Sequence, residues 1–271
     1  FALEDLIIKM LSSFMPISQI LIYIGVISGL LLGTYAKIKK IPIVTKVILT
    51  NRSLIMRTFS DGFGAIFIVT AIALVPLSTV SSILQITPLL VTFGAAVIFK
   101  EHVGWRRWSA VFVGFLGVIL ILKPGMSSFQ LTSLLALLGA GFLALRDLVT
   151  RKVESDIPSL TISVYAFIAA AVGGIIAIPF CNSFVFLTPQ QWTMILGSSI
   201  VACFSYLTLV LATRIGDISV ISPFRYTRLI FAIMLAVLVL NERPDALTLT
   251  GVVIIIASGC YTFWRENIKK K

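Results

Sequence analysis

Long apolar segments separated by short polar joints recur along the whole chain. Most of them approach the roughly 20 residues that a helix needs to cross a hydrocarbon core about 30 Å thick. The alternation within segments of about ten residues that marks a membrane β-barrel is absent from the sequence. The pattern therefore predicts an all-α polytopic membrane protein. Its predicted spans are Phe1–Met10, Pro16–Ala36, Ser53–Val75, Leu77–Phe99, Trp105–Leu122, Leu131–Thr150, Ser159–Phe180, Gln191–Thr213, Ile218–Leu240 and Leu247–Phe263.

The first segment, Phe1–Met10, is too short to span, so we interpret it as part of a truncated helix. This gives ten transmembrane helices in all. The composition also indicates a membrane protein, because 58% of the 271 residues are hydrophobic and 12% are charged. The mean hydropathy is +1.06. A soluble domain carries about 25% charged residues. A soluble enzyme and a disordered chain are therefore excluded.

The net charge of +11 comes mainly from basic residues that cluster on one side of the predicted membrane. Of the 22 Lys and Arg residues, we assign sixteen, Arg57 among them, to joints on the cytoplasmic side and three to the interior of spans. Only Lys9, Lys123 and Arg243 fall in joints on the opposite side. This asymmetry predicts a cell-membrane (inner or plasma membrane) protein with both termini in the cytoplasm. Because the basic residues are spread along one face without a recognition motif, nucleic acid is not an expected partner.

The chain contains an internal repeat. Several matches occur in nearly one register: Leu3–Lys9 with Leu145–Arg151, Pro16 with Pro158, Tyr23 with Tyr165, and Phe99–Glu101 with Leu240–Glu242. We therefore expect two five-helix units, residues 1–124 and 125–271. An odd number of spans inverts the second unit relative to the first. Inverted repeats are typical of alternating-access transporters, whose substrate site lies near the membrane midplane between the units.

Three short motifs resemble one known family. They are Phe99-Lys100-Glu101, Asn241-Glu242-Arg243-Pro244 ahead of a glycine-containing apolar helix, and Pro223–Leu229. Together with the two-unit layout, they are similar to the EamA-like family of the drug/metabolite transporter superfamily, over essentially the whole chain. The resemblance implies ten helices, a central cavity, and movement of amino acids, nucleoside-like metabolites or vitamins. Its motifs specify the fold and leave the substrate open.

Charged residues inside apolar segments are candidates for function, because each costs roughly 2.5–3.5 kcal/mol on insertion scales. The repeat places Glu4 and Asp5 in register with Arg146 and Asp147. We expect Asp5 and Asp147 to face inward near the pseudo-twofold axis. All four residues are candidates for coupling transport to protons or to exchange.

Other roles remain open for the acids. Asp5 and Asp147 could cap helix ends or form ion pairs one helical turn away, with Lys9 and Arg151 respectively. Asp61 is also a functional candidate by position. It lies in the first turns of its span, so we expect a solvated or helix-capping role at least as much as a functional one.

Two arginines in the ninth span are candidate substrate ligands. Arg225 and Arg228 are three residues apart and share one helix face, with Tyr226 beside them. Guanidinium groups bind carboxylates and phosphates in a bidentate fashion. The repeat places Leu84 and Thr87 at the equivalent positions, and this asymmetry favours a ligand role. The alternative is an internal ion pair with Asp147, Glu4 or Asp5.

Polar residues elsewhere in the repeats complete the predicted site. Gln85 aligns with Tyr226 and lies near Thr87, so we expect these three residues to face one cavity. Tyr23 and Tyr165 form a symmetric pair that could close the cavity as gates. Packing or interfacial anchoring is the alternative role for such tyrosines.

The remaining sequence features bear on the class of function. His102 and the three cysteines lack metal-ligand spacing, and no phosphate-binding GxxxxGK[ST] motif occurs. We therefore expect no enzyme activity, no metal and no cofactor. The expected protein is a secondary active transporter for a small polar or anionic metabolite, surrounded by membrane lipids and either monomeric or homodimeric. The alternative is a lipid scramblase or a channel-like protein.

Overall fold

A computed structural model describes residues 1–100, 104–125, 130–150, 152–153, 156–181, 183–215 and 226–270. Within these ranges the chain forms helices and joints and contains no strand. The helices are α1 (Ala2–Leu11), α2 (Ile17–Ile38), α3 (Lys46–Thr50), α4 (Arg52–Leu74), α5 (Leu77–Leu84), α6 (Thr87–Ile98), α7 (Trp105–Leu122), α8 (Ser133–Thr150), α9 (Ser159–Ala177), α10 (Pro189–Ile215), α11 (Thr227–Leu240) and α12 (Ala246–Lys270).

Six segments of the described chain are long and apolar enough to cross a membrane. They are Ile17–Ile38, Arg52–Leu74, Leu77–Ile98, Ser133–Thr150, Ser159–Phe180 and Pro189–Arg214. Shorter apolar helices occupy Trp108–Leu122, Thr227–Leu240 and Ala246–Tyr261. Large apolar side chains such as Leu30, Phe112 and Leu238 are exposed, as expected for surfaces that face lipid. The prediction of an all-α polytopic membrane fold is confirmed.

The span Leu77–Ile98 is interrupted near its centre, where α5 ends at Leu84 and α6 begins at Thr87. Pro88 lacks the N–H that would reach the Leu84 carbonyl. The Thr87 hydroxyl donates to that carbonyl instead, at 2.6 Å. The break places Gln85 between the two short helices and Thr87 at the start of α6.

Two features of the helices differ clearly from the predicted spans. The short helix α3 lies in the joint between the second and third predicted spans, and the Thr45 side chain accepts a hydrogen bond from the Ile48 N–H at its start. The C-terminal helix continues to Lys270, beyond the predicted end at Phe263. The predicted start of the ninth span, at Ile218, lies outside the described residues.

Three extensive helix pairs, α2 with α9, α4 with α8 and α7 with α12, join the predicted first unit to the second. Small residues permit their close approach. A Cβ atom added at Gly25 of α2 would lie 2.6 Å from the Ala171 nitrogen of α9, and one at Gly251 of α12 would lie 2.6 Å from the Gly117 carbonyl of α7. The two halves of the chain therefore pack through backbone contacts.

The joint between α4 and α5 is bound by two charged side chains from other parts of the chain. The Lys9 ammonium donates to the Val75 carbonyl at 2.8 Å. The Glu242 carboxylate accepts from the N–H groups of Leu77 (2.6 Å) and Ser78 (2.9 Å) and from the Ser78 hydroxyl (2.6 Å). A carboxylate is stabilised at a helix N-terminus and an ammonium at a C-terminus. We call this arrangement the Lys9–Glu242 clasp. It ties the end of α11 to the start of α5.

Candidate functional site

A cavity of about 680 Å³ lies between α1, α4, α5, α6, α8, α9, α10 and α11. Its volume is within the range of small-molecule sites. Most of its wall is apolar, and polar side chains are few. These polar residues are Glu4, Asp5, Asp61, Gln85, Thr87, Arg146, Ser205, Tyr206, Thr208, Thr227 and Arg228. The structure thus brings six of the predicted site residues to one cavity: Glu4, Asp5, Gln85, Thr87, Arg146 and Arg228.

An ion pair on the cavity wall joins the first turns of α1 and α11. The Arg228 guanidinium donates to the Asp5 carboxylate through Nη2 at 2.6 Å and through Nε at 3.2 Å. It also lies over the Phe1 ring, 5.1 Å from the ring centroid. The internal ion pair that we considered as an alternative is therefore present. An anionic ligand that binds Arg228 must compete with Asp5.

A second charged cluster lies deeper, around Asp61 on α4. One Asp61 oxygen accepts from Arg57 Nη1 at 2.8 Å, and the other accepts from the Tyr206 hydroxyl at 2.8 Å. Arg146 Nη1 is 3.7 Å from the same carboxylate. The Arg57 and Asp61 side chains are 2% and 6% exposed. We call Arg57, Asp61, Arg146, Asp147 and Tyr206 the buried ion network.

The expectation that Asp61 is solvated or caps its helix is wrong, because Asp61 is buried in this network. Asn51 caps α4 instead, and its side chain accepts from the Leu54 N–H at 2.8 Å. Arg57, which we grouped with the basic residues of a cytoplasmic joint, is also buried. It donates to Tyr206 and Thr150, both at 2.9 Å. The i, i+4 spacing of Arg57 and Asp61 is the sequence signal that could have identified the pair.

Arg146 and Asp147 are adjacent in the sequence and bind each other. Arg146 donates to one Asp147 oxygen through Nε at 2.9 Å and Nη2 at 2.8 Å. Arg146 lines the cavity and Asp147 does not. Asp147 therefore belongs to the network through its bonds to Arg146 and does not reach the cavity wall, whereas we expected it to face the axis directly.

The remaining predicted ligands lie away from the cavity or outside the described residues. Tyr226 is buried against α12, where a Cβ atom added at Gly259 would collide with its hydroxyl oxygen. Tyr226 does not line the cavity, so it is not brought together with Gln85 as we expected. The side chain of Arg225 falls among residues that the structure does not describe.

The symmetric tyrosines contact other parts of the protein. The Tyr23 ring packs on Trp192, with 5.3 Å between centroids. The Tyr165 hydroxyl donates to the Ile43 carbonyl at 3.3 Å. Neither tyrosine lines the cavity. Their equivalence in the repeat reflects position in the fold, and the structure places them in packing and hydrogen-bonding roles.

Glu4 is the least engaged acid of the cavity wall. Its carboxylate accepts from the Ser205 hydroxyl at 3.4 Å. Within the part of the chain that the structure describes, no basic side chain forms an ion pair with it. A carboxylate on an apolar wall is an acceptor for a proton or for a cationic group.

A largely apolar cavity that carries a few charged side chains, enclosed by apolar helices from both halves of the chain, is typical of a multi-pass membrane transporter. The sequence model described as the EamA-like transporter family matches residues 1–123 and 130–264. The chain therefore belongs to the EamA-like transporter family.

Individual relatives carry transporter names. The chain is 30% identical over 220 residues to the S-adenosylmethionine uptake transporter of Rickettsia bellii, with 79% of this chain and 72% of the relative covered. It is 27% identical to the riboflavin transporter of Vibrio cholerae, with 73% and 66% covered. It is 26% identical to the pseudopaline exporter of Pseudomonas aeruginosa, with 95% and 90% covered.

A solved crystal structure shares the fold, with a TM-score of 0.66 at 15% identity over 99% of this chain and 96% of that one. The family and the relatives are transporters, and none of them is named as an enzyme. The protein is a multi-pass membrane transporter.

Proposed function

We propose that the protein is a secondary active transporter of the cell membrane that moves a small polar metabolite by alternating access. The observation that carries this proposal is the cavity between the two halves of the chain, whose wall holds the Asp5–Arg228 ion pair between α1 and α11. Asp5 belongs to the first predicted unit and Arg228 to the second. Binding and release of substrate at this pair can therefore be linked to motion of one unit against the other.

The division into inverted units, residues 1–124 and 125–271, is part of the proposal. Two successive matches of the family model, to residues 1–123 and 130–264, support it. Five spans in each unit require opposite orientations in the membrane, and the distribution of Lys and Arg supports cytoplasmic termini. The state of assembly, monomer or homodimer, does not enter the mechanism.

The cavity chemistry suits a substrate with polar groups of both signs. Arg228 can hold a carboxylate or phosphate in bidentate geometry once Asp5 is displaced. Glu4 can accept a cationic group, and Gln85 and Thr87 supply hydrogen bonds from the broken span. The relatives named for S-adenosylmethionine, riboflavin and pseudopaline support a small polar metabolite as the substrate.

In this proposal, the Lys9–Glu242 clasp holds one end of the helix bundle closed. The variant Glu242→Gln keeps the shape but loses the charge, so we expect the bonds to α5 to weaken by about 1–3 kcal/mol. That change shifts the conformational equilibrium on the order of tenfold. The measurement is the reaction of Ile72→Cys, a buried cavity-lining position near this end, with an impermeant maleimide in a cysteine-free background.

We expect the labelling rate of Ile72→Cys to rise on the order of tenfold in Glu242→Gln. Arg243→Gln is the matched control, since Arg243 is the exposed neighbour of Glu242. An unchanged rate in Glu242→Gln would show that the clasp does not hold this end closed.

Glu4 is the cavity acid best placed to carry a coupling proton, because among the described residues its carboxylate accepts one long hydrogen bond, from Ser205 at 3.4 Å, and forms no ion pair. We expect Glu4→Gln to abolish substrate accumulation driven by a pH gradient and to retain counterflow, which needs no gradient. The measurement compares both activities in the same proteoliposomes, with Asp245→Asn outside the cavity as the control. Gradient-driven accumulation that survives Glu4→Gln would exclude Glu4 as the coupling group.

A further inference from the structure

A second cavity, of about 460 Å³, lies on the outer surface between α3, α4 and α9. Its wall is apolar except for the hydroxyl-bearing residues Thr58 and Tyr165. It shares no lining residue with the central cavity. We call it the α4–α9 groove.

The groove exists because two glycines lower its floor. Gly62 of α4 and Gly173 of α9 approach so closely that a Cβ atom added at Gly173 would lie 3.1 Å from the Gly62 carbonyl oxygen. Larger side chains stand along the rims, and Phe59 and Val172 are 58% and 47% exposed. An open apolar channel on the lipid-facing surface results.

The length of the groove matches one leaflet of a bilayer. It follows α4 from Ile55 to Ile66 and α9 from Tyr165 to Ile176. At 1.5 Å per residue, each run extends for roughly 16 Å. This is about half of the roughly 30 Å hydrocarbon core, which is the depth that one acyl chain occupies.

One end of the groove is strongly basic. Lys39, Lys40 and Arg52 are exposed there, and no acidic residue occurs between Lys37 and Arg52. The joint that follows Lys40 is attached to α9, since the Thr161 hydroxyl donates to the Pro42 carbonyl at 2.9 Å. Arg52 begins α4 one turn before Ile55. The positive charge is therefore held beside the groove opening at headgroup level.

We propose that the α4–α9 groove binds an anionic phospholipid, with one acyl chain along Gly62 and Gly173 and the phosphate against Lys39, Lys40 and Arg52. The apolar channel alone would accept any acyl chain. The basic end adds selectivity, because each Lys or Arg near a membrane surface attracts anionic lipid. The groove is a lipid site separate from the substrate cavity.

Native mass spectrometry of the purified protein, exchanged into equal amounts of phosphatidylglycerol and phosphatidylcholine, tests the proposal. We expect one retained phosphatidylglycerol per protein, in excess over phosphatidylcholine on the order of tenfold. Val172→Trp and Ile55→Trp fill the groove from opposite rims and should remove both lipids. Ile175→Trp is the matched control on α9, because Ile175 is exposed but lies outside the groove.

The triple variant Lys39→Gln, Lys40→Gln, Arg52→Gln leaves the apolar channel intact and should reduce phosphatidylglycerol retention to the level of phosphatidylcholine. Arg243→Gln, at an exposed position in another joint, should leave retention unchanged. Equal retention of both lipids by the unmodified protein, or no retained lipid, would overturn the proposal. So would a dimer mass that disappears in both tryptophan variants, because a second copy would then occupy the groove.

Discussion

The variant Asp61→Ala should lower the free energy of unfolding by about 3–5 kcal/mol, the cost of breaking a buried ion pair by removal of one partner. Asp61 is shared by Arg57 at 2.8 Å and Arg146 at 3.7 Å, and all three side chains are buried. Without the carboxylate, the Arg57 charge loses its ion-pair partner and the Tyr206 hydroxyl loses its acceptor. Chemical unfolding in detergent measures the change.

The matched control for Asp61→Ala is Asp245→Asn. Asp245 forms an ion pair with Lys123, and this hydrogen-bonded contact lowers the pKa of Asp245 to about 2. Asp245 is therefore ionised at neutral pH, as a carboxylate control must be. Its side chain is 50% exposed, so the variant should cost less than about 1 kcal/mol.

A double replacement separates the charge effect from packing. Arg57→Met with Asp61→Leu removes both charges and keeps apolar volume, so it should recover most of the stability lost in Asp61→Ala. If Asp61→Ala were no more destabilising than Asp245→Asn, the buried ion network would have no structural role.

The variant Arg228→Gln should reduce transport efficiency on the order of 100-fold, because truncation of one partner in a hydrogen-bonded charge pair costs roughly 2–5 kcal/mol when the pair is buried, and this partly buried pair falls at the lower end of that range. Arg228 lines the cavity and donates two hydrogen bonds to Asp5. Arg228→Lys keeps the charge but loses the fork, so we expect intermediate transport. Initial rates over a range of substrate concentrations in proteoliposomes measure the effect.

The double variant Asp5→Asn with Arg228→Gln distinguishes substrate binding from a purely structural pair. A structural pair predicts that neutralising both residues restores transport. If Arg228 binds substrate, the double variant regains stability but stays inactive. Arg243→Gln, at an exposed position in a joint, controls for the loss of a positive charge.

The membrane helices could be predicted from sequence because each lipid-exposed span must carry about 20 apolar residues. The short α3 and the break at Gln85 were not predicted. Both depend on local hydrogen bonds, from Ile48 to the Thr45 side chain and from Thr87 to the Leu84 carbonyl. Side-chain bonds of this kind leave hydropathy unchanged, so a hydropathy pattern does not show them.

The charged residues of the site could be predicted only in part. Asp5, Arg146 and Arg228 could be found because a charge within an apolar segment is costly and needs a partner or a cavity. The sequence limited the ion-pair partner of Arg228 to Asp147, Glu4 or Asp5 but did not single out Asp5, since Asp5 and Arg228 meet only through tertiary packing. Asp61 and Arg57 were misjudged because a charge near the start of a span can be solvated or buried, and one sequence does not separate the two.

The repeat predicted equivalent positions in the fold but did not predict which of them line the cavity. Tyr23 and Tyr165 are equivalent in sequence, yet one packs on Trp192 and the other bonds to the Ile43 carbonyl. Symmetry relates backbone positions, whereas a site depends on the direction of each side chain.

Counterflow in proteoliposomes, with pooled small metabolites on one side and a labelled candidate on the other, tests the proposed transport through the central cavity most directly. We expect exchange that saturates with substrate concentration and that falls on the order of 100-fold in Arg228→Gln, with Arg243→Gln unchanged. Flux that does not saturate, or lipid scrambling without metabolite exchange, would contradict alternating access at this site.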